Sequence, residues 1–209
     1  MLRDIEWIFF DIGYTLVNED RAHEERIKMT LEKNSNYRYE DIYDLMVQAS
    51  IEYKQPYPTA INQLGIKERE RYPKEFEVPY KEAARVLNLL HSSYKIGIIA
   101  NQVEGTENRL QSYGLMKYID LVISSAEEGL EKPDIRIFNR ALERANCKVI
   151  NSVMVGDRLD NDIYPAKKIG MKTIWIKQGF GGLQKPKAIE YEADYTINKL
   201  EEILDIMRG

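Results

Sequence analysis

The sequence predicts an α/β protein with a three-layer core around a parallel sheet, plus an inserted α-helical cap. Two observations carry this prediction. Short apolar runs typical of buried strands alternate with amphipathic helical patterns, an order that favours parallel strands covered by helices. A long segment without a clear strand separates the first two runs. At 209 residues the chain is long enough to bury a substantial core.

Six apolar runs are the predicted strands, and helical patterns lie between them. The runs are residues 5–10, 95–100, 121–124, 152–155, 172–176 and 194–197. Apolar residues at helical spacing predict one helix around Val86, Leu87 and Leu90, and another around Phe138 and Leu142. A last helical pattern covers residues 199–207. Because strand and helix patterns alternate, the strands are expected to run parallel.

The strand-free segment between Val17 and Val78 carries helical patterns of its own. One of them places Ile42, Met46 and Ala49 on a common face. We interpret residues 18–78 as a small helical cap domain, inserted into a core domain formed by residues 1–17 and 79–209. The alternative is a helical excursion that packs against the side of the sheet.

Composition excludes several classes of function. Hydrophobic residues make up 44% and charged residues 31% of the chain, which is ordinary for a globular protein. A net charge of −4 argues against nucleic acid as a partner. No apolar run approaches a membrane span, and no signal-peptide pattern opens the sequence. The lone Cys147 predicts a reducing, cytoplasmic location. With two histidines and one cysteine, any metal is expected to be a hard ion bound by oxygen.

Polar residues follow several of the predicted strands at the point where each strand ends. Asp11 follows the first run and Asn101 the second, while Asp157 follows the fourth, with Asp162 five residues later. Lys132 precedes a Pro-Asp pair that marks the start of a helix. Since the carboxyl ends of parallel strands meet at one edge of a sheet, these side chains are expected to form one site.

On these motifs the chain is identified as a member of the haloacid dehalogenase-like superfamily of hydrolases, and the resemblance covers essentially its whole length. The resemblance implies a Rossmann-like core and a helical cap inserted between the first and second motifs. It also implies a magnesium-dependent phosphatase that acts on a small phosphorylated substrate through an aspartyl-phosphate. A carboxylate that accepts a phosphoryl group splits hydrolysis into two easier steps.

The resemblance assigns a role to each matching position of this sequence. Asp11 matches the nucleophile, and Asp157 and Asp162 match the acidic residues of the magnesium site. Asp11 is itself a metal ligand in this pattern, and Gly13 would offer its main-chain carbonyl to Mg²⁺. Lys132 would neutralise the nucleophile and the transferring phosphoryl group.

Two positions depart from the family pattern. Gly13 stands where phosphatases of this family usually have an aspartate that protonates the leaving group and then activates water. Ala100 stands where they usually have a serine or threonine that binds the phosphoryl oxygen, and Asn101 follows it. We therefore expect the phosphoryl group to be bound around Ala100, Asn101 and Lys132.

A residue of the cap could replace the missing acid at position 13. The candidates are Glu19, Asp20 and His23. Because general acid–base help is typically worth about 10²–10⁴-fold in rate, its loss would weaken turnover without abolishing it. A second hypothesis is therefore a catalytically impaired member that binds a phosphorylated ligand or a protein partner. Dehalogenation is a third and weaker reading, and either a monomer or a homodimer fits the sequence.

Two local features admit a structural interpretation beside the functional one. Asp160 and Asp162 lie in one turn rich in Asp and Asn, where either could cap a helix. We assign Asp162 to the site and Asp160 to solvent. The glycine-rich run at residues 179–182 lacks the Lys-Ser/Thr pair of a phosphate-binding loop, so it is expected to be a flexible loop at the rim of the site.

Overall fold

The computed structural model describes residue 2 and residues 4–208 of the chain. The strands in this part are β1 (Trp7–Phe10), β2 (Val17–Asn18), β3 (Val78–Pro79), β4 (Lys95–Ala100), β5 (Leu121–Ser124), β6 (Ser152–Gly156), β7 (Lys172–Ile176) and β8 (Tyr195–Ile197). Among these residues, one sheet has the order β5-β4-β1-β6-β7-β8, and each neighbouring pair in it is parallel. The predicted α/β fold with a parallel sheet is confirmed.

The helices alternate with the strands as the sequence predicts. They are α1 (Asp20–Lys33), α2 (Tyr39–Ile51), α3 (Pro56–Gln63), α4 (Ala83–His91), α5 (Thr106–Ser112), α6 (Ser125–Glu128), α7 (Ile135–Ala145), α8 (Tyr164–Ile169) and α9 (Ile203–Arg208). A π-helical turn, Leu159–Ile163, leads directly into α8. In the described part of the chain, no helix is long and apolar enough to cross a membrane.

Alternate residues of β1 bury their side chains on opposite faces of the sheet, which produces the three layers. Ile8 and Phe10 pack with Leu87 of α4 and with apolar residues of α9. Phe9 packs on the other face with Phe138 of α7 and with α8. Since successive side chains of a strand point to opposite faces, an uninterrupted apolar run is what a doubly covered strand requires.

Helices α1 to α3 form the insertion between β1 and β4. Their apolar side chains make a separate cluster that includes Ile27, Met46 and Tyr57. The two ends of the insertion pair as the short antiparallel strands β2 and β3. These strands have two residues each, too few for an alternating pattern to be seen in the sequence. The separate cluster is what a cap would need, and the division at residues 18–78 stays a prediction.

Strand bounds agree with the sequence pattern for three of the predicted strands and differ at one end for the other three. The strands at residues 95–100, 121–124 and 172–176 are as predicted. The first strand begins at Trp7, the last begins at Tyr195, and β6 continues to Gly156. In the sheet register Phe10 lies opposite Ile98 and Val155, so that Asp11, Asn101 and Asp157 emerge at a common edge.

Candidate active site

A cavity of about 690 Å³ opens at the carboxyl edge of the sheet, where the inserted helices face it. Six of the seven residues predicted for the site line this cavity. They are Asp11, Gly13, Asn101, Lys132, Asp157 and Asp162. The segments that follow β1, β4 and β6 bring them together, as the parallel arrangement of the strands requires.

Ala100 is the predicted site residue that the structure places elsewhere. It is fully buried, and its side chain packs in the same apolar cluster as Ile96 and Ile98 of β4. Residues two apart in a strand face the same side, so the last residue of β4 points into the core instead of the cavity. The Ala100 side chain therefore does not line the cavity, whereas Asn101 and Lys132, the other two residues expected around the phosphoryl group, do.

Asn101 holds the backbone of Lys132. Its amide nitrogen donates a hydrogen bond to the Lys132 carbonyl over 2.8 Å, and its amide oxygen accepts one from the Lys132 N–H over 2.7 Å. The two bonds occupy the polar end of the Asn101 side chain. Asn101 thus fixes where the lysine side chain begins, a role that sequence reasoning did not foresee.

Lys132 lies between two carboxylates in the interior of the site. Its Nζ is 2.6 Å from Oδ1 of Asp11 and 2.5 Å from Oδ1 of Asp162, and the lysine is 4% exposed. Burial lowers the pKa of Lys132, but the charges of Asp11 and Asp162 raise it by more, so the ammonium stays protonated. The site therefore keeps a fixed positive charge beside Asp11.

Three buried carboxylates surround this single lysine. Asp11, Asp157 and Asp162 each offer an oxygen that lies within 4.8 Å of the other two. Burial raises the pKa of Asp157 well above its ordinary value, and the nearby carboxylates of Asp162 and Asp11 raise it further. Burial also raises the pKa of Asp162, to about 6, against the opposing effect of Lys132. An excess of buried anionic oxygen fits a hard divalent cation such as Mg²⁺.

The position of Asp162 depends on a glycine and on the turn that follows β6. A Cβ atom on Gly156 would lie 2.5 Å from both Cβ and Oδ2 of Asp162, so only glycine leaves room for this carboxylate. The Arg158 N–H donates to Asp162 Oδ2 over 2.9 Å. Trp175 Nε1 donates to the Asp157 carbonyl over 2.6 Å and fixes the first residue of the turn.

Comparison with known proteins shows the family to which this chain belongs. A family model described as haloacid dehalogenase-like hydrolase matches residues 8–176. The chain is also 31% identical, over 99% of its length, to a glyceraldehyde 3-phosphate phosphatase from Pyrococcus furiosus, of which it covers 94%. This chain belongs to the haloacid dehalogenase-like hydrolases.

Other relatives of this hydrolase also match over nearly their full length. A glyceraldehyde 3-phosphate phosphatase from Methanocaldococcus jannaschii is 30% identical, with 98% of each chain covered. A pyrimidine 5'-nucleotidase from Escherichia coli is 28% identical, with 97% of each covered. The crystal structure of a phosphatase of this family from Thermococcus onnurineus has the same fold, with a TM-score of 0.68 and 24% identity over 98% of this chain and 99% of that one.

Two expectations about the loops around the site of this hydrolase are corrected. The Asp160 carboxylate is bound by protein groups instead of by solvent alone, because it accepts hydrogen bonds from Arg158 over 2.6 Å and from Gln184 over 2.9 Å. The glycine-rich run at residues 179–182 makes packing and hydrogen-bond contacts that a flexible loop at the rim would lack. Phe180 within it is 7% exposed, and its carbonyl accepts a hydrogen bond from Ser50 of α2 over 2.7 Å. Both loops are held by partners distant in sequence.

The three candidates for the missing acid lie in different surroundings. Glu19 and His23 line the cavity, and His23 Nε2 is 3.8 Å from Glu19 Oε2. Asp20 is not among the residues that line this cavity, and its carboxylate accepts a hydrogen bond from Asn18 over 3.0 Å. Sequence reasoning missed Tyr72 and Arg109, which also line the cavity, because neither belongs to a recognisable motif.

We expect Mg²⁺ to raise the unfolding temperature of this hydrolase more at pH 8 than at pH 5. The metal-free pKa of Asp162, about 6, lies above the ordinary 3.8. A carboxyl group whose pKa is higher in the folded than in the unfolded protein stabilises the fold fully at pH values below its unfolded pKa. This stabilisation is lost as the pH rises through its folded pKa. At pH 8 the carboxylates are charged and repel, and Mg²⁺ relieves this repulsion, whereas at pH 5 bound protons already do so.

Thermal unfolding in MgCl₂ or EDTA at the two pH values measures this effect. A free Mg²⁺ concentration of about 100 times Kd should raise the unfolding temperature by roughly 5–10 °C at pH 8. The variant Asp157→Asn serves as the control and should respond much less. An equal shift at both pH values would contradict the assignment of Mg²⁺ to these carboxylates.

Proposed function

We propose that this hydrolase is a magnesium-dependent phosphatase that hydrolyses a small phosphorylated metabolite through an aspartyl-phosphate on Asp11. The observation that carries the proposal is the contact of Asp11 with the buried ammonium of Lys132, within a group of three carboxylates. The full-length relatives named as phosphatases support the same reaction class. Their names do not by themselves fix the substrate of this chain.

Each residue of the site has a chemical task in this proposal. An oxygen of Asp11 attacks the phosphorus atom, and Lys132 offsets the negative charge of the nucleophile and of the transferred group. Asn101 keeps Lys132 in place through its two backbone hydrogen bonds. Mg²⁺, held by Asp11, Asp157, Asp162 and the main-chain carbonyl of Gly13, would supply further charge stabilisation at the phosphoryl oxygens.

The relatives suggest where the search for a substrate should begin. Two of them are named for glyceraldehyde 3-phosphate and one for pyrimidine nucleotides, all of which are small phosphate monoesters. A cavity of about 690 Å³ is large enough for either class. We therefore propose glyceraldehyde 3-phosphate as the first compound to test and a pyrimidine nucleotide as the second.

The proposal also gives a role to the inserted helices and states the partners, oligomeric state and location of the protein. Residues 18–78 would act as a cap that closes over the site, while residues 1–17 and 79–209 supply the nucleophile, the lysine and the metal ligands. The partner is a small phosphorylated substrate, rather than nucleic acid or a membrane, and the protein acts as a monomer or homodimer. The lone Cys147 favours a reducing cytoplasm.

Phosphate release in the presence of Mg²⁺ tests the proposed function. The panel consists of glyceraldehyde 3-phosphate, pyrimidine nucleotides, acetyl phosphate and p-nitrophenyl phosphate, with the variant Asp11→Asn as the background. We expect turnover above this background, and its loss in EDTA. No phosphate release from any of them would overturn the proposal in favour of a protein that only binds its ligand. Release of halide from haloacids would point instead to dehalogenation.

A further inference from the structure

The carboxylate of Glu19 lies directly over Gly13, two residues beyond the nucleophile Asp11. A Cβ atom added to Gly13 would be 2.5 Å from Oε1 and 2.9 Å from Cδ of Glu19. Glu19 therefore fills the space that a side chain at position 13 would take. The Glu19 side chain would have to move to admit a larger residue at position 13, and both residues line the same cavity as Asp11.

The start of α1 holds Glu19 in this position. Glu19 directly precedes α1, and its carbonyl accepts the hydrogen bond of the His23 N–H over 3.0 Å, which closes the first helical turn. The residue before it, Asn18, belongs to β2 and is paired with Val78 of β3. Backbone bonds on both sides of Glu19 thus fix the origin of its side chain.

In the described part of the chain the Glu19 carboxylate accepts no hydrogen bond, unlike those of Asp11, Asp162 and Glu77 in the same cavity. Asp11 and Asp162 are bound to Lys132, and Asp157 stands with them in the acidic group. Glu77 accepts a hydrogen bond from Tyr113 over 2.9 Å and lies 3.7 Å from Arg109. Within residue 2 and residues 4–208, the contact recorded for the Glu19 carboxylate is with His23 at 3.8 Å, and its side chain is 16% exposed.

We propose that Glu19 is the general acid and base of the reaction on Asp11. The inference rests on the proposed phosphatase function. An alkyl phosphate releases an alkoxide, which is a poor leaving group unless it is protonated as the bond breaks. Glu19 places a carboxyl group against Gly13, on the wall of the cavity that also holds Asp11, where such a proton could be delivered.

Over one turnover, the proton that Glu19 donates is replaced by a proton from water. In the first step an Asp11 oxygen bonds to phosphorus, the bond to the leaving oxygen breaks, and that oxygen takes its electron pair and the proton of Glu19. In the second step the Glu19 carboxylate takes a proton from water, and the water oxygen bonds to phosphorus. The bond between phosphorus and Asp11 then breaks with its electron pair on Asp11, and inorganic phosphate leaves.

The variant Glu19→Gln tests the first step, because glutamine keeps the shape of the side chain and cannot donate this proton. We expect kcat/KM for the alkyl phosphate that the wild type hydrolyses best to fall by about 10²–10⁴-fold. For p-nitrophenyl phosphate, whose leaving group needs no proton, kcat/KM should change by less than about 10-fold. The matched control is Glu24→Gln, a change at an exposed position of α1 that should leave both values unchanged.

The same variant tests the second step. With p-nitrophenyl phosphate, we expect Glu19→Gln to release about one equivalent of p-nitrophenolate per site in a burst and then to turn over slowly, because hydrolysis of the aspartyl-phosphate lacks its base. A residue that merely supports the structure would lower both rates together and give no burst. This pattern would overturn the proposal.

Moving the carboxyl group from position 19 to position 13 gives an independent test. Gly13→Asp alone should lower activity, because its side chain meets the Glu19 carboxylate. Glu19→Ala alone should lose alkyl phosphate hydrolysis, and Gly13→Asp in that background should recover at least about 10-fold of it. If Glu19→Gln hydrolyses alkyl phosphates like the wild type, this inference fails while the phosphatase function stands. If the wild type hydrolyses no phosphate ester, both fail.

Discussion

Asp11→Asn should abolish phosphate release, with a loss in kcat on the order of 10⁴-fold or more, as for other enzymes that lose their nucleophile. Asparagine matches aspartate in size, so the packing around the end of β1 should be kept. An amide is a very poor nucleophile toward phosphorus, however, and it removes the charge that pairs with Lys132 at 2.6 Å. Phosphate release under saturating Mg²⁺ measures the loss directly.

Two further measurements separate loss of chemistry from loss of structure. Asp205→Asn, the same change at an exposed position of α9, should leave turnover unchanged. Mass spectrometry of protein quenched during turnover should find a phosphoryl group on Asp11 in the wild type and none in the variant. Turnover of Asp11→Asn within about 10-fold of the wild type would contradict the assignment of the nucleophile.

Lys132→Met should lower both catalysis and stability by large amounts. Methionine fills a similar volume but leaves Asp11 and Asp162 without the ammonium that contacts both of them. Loss of a group that stabilises transition-state charge typically costs about 10²–10³ in kcat. Breaking a buried ion pair on one side typically costs about 3–5 kcal/mol in the free energy of unfolding.

Unfolding in urea, with and without Mg²⁺, measures the stability part of this prediction. Without Mg²⁺ the variant should lose the full amount, and with Mg²⁺ it should lose less, because the cation shares the task of balancing the carboxylates. Lys81→Met, a change at an exposed lysine before α4, is the matched control and should be nearly neutral. Wild-type stability of Lys132→Met in EDTA would show that the lysine does not balance the buried carboxylates.

Much of the fold and of the site follows from local pattern. A run such as Trp7–Phe10 is apolar on both faces, which a strand needs only if helices cover the sheet on both sides. Parallel strands then force Asp11 and Asp157, which each follow a strand, to the same edge. For this reason the sequence could predict residues that lie far apart along the chain as neighbours in one cavity.

The remaining features depend on contacts that no local pattern encodes. Whether the Ala100 side chain faces the core or the cavity is decided by the parity of its position in β4, which the motif does not reveal. The sequence does not place Asp160 against its partner Gln184, because the two residues are 24 positions apart along the chain. The approach of Glu19 to Gly13 likewise arises only when β2 has turned the chain back over the site.

The loop after β7 is hydrogen-bonded to the inserted segment, so opening of the proposed cap would cost free energy. It accepts hydrogen bonds from two residues of the inserted segment, Ser50 to Phe180 over 2.7 Å and Tyr53 to Lys185 over 2.6 Å, and Gln184 donates one to the Ser50 carbonyl over 3.3 Å. At about 0.5–1.5 kcal/mol net for each bond, separating the loop from the inserted segment would cost roughly 1.5–4.5 kcal/mol. If residues 18–78 open as the proposed cap, the open conformation would be a minor population, on the order of 10% down to 0.1% or less. A substrate that binds only this open form would show an apparent affinity reduced by the same factor.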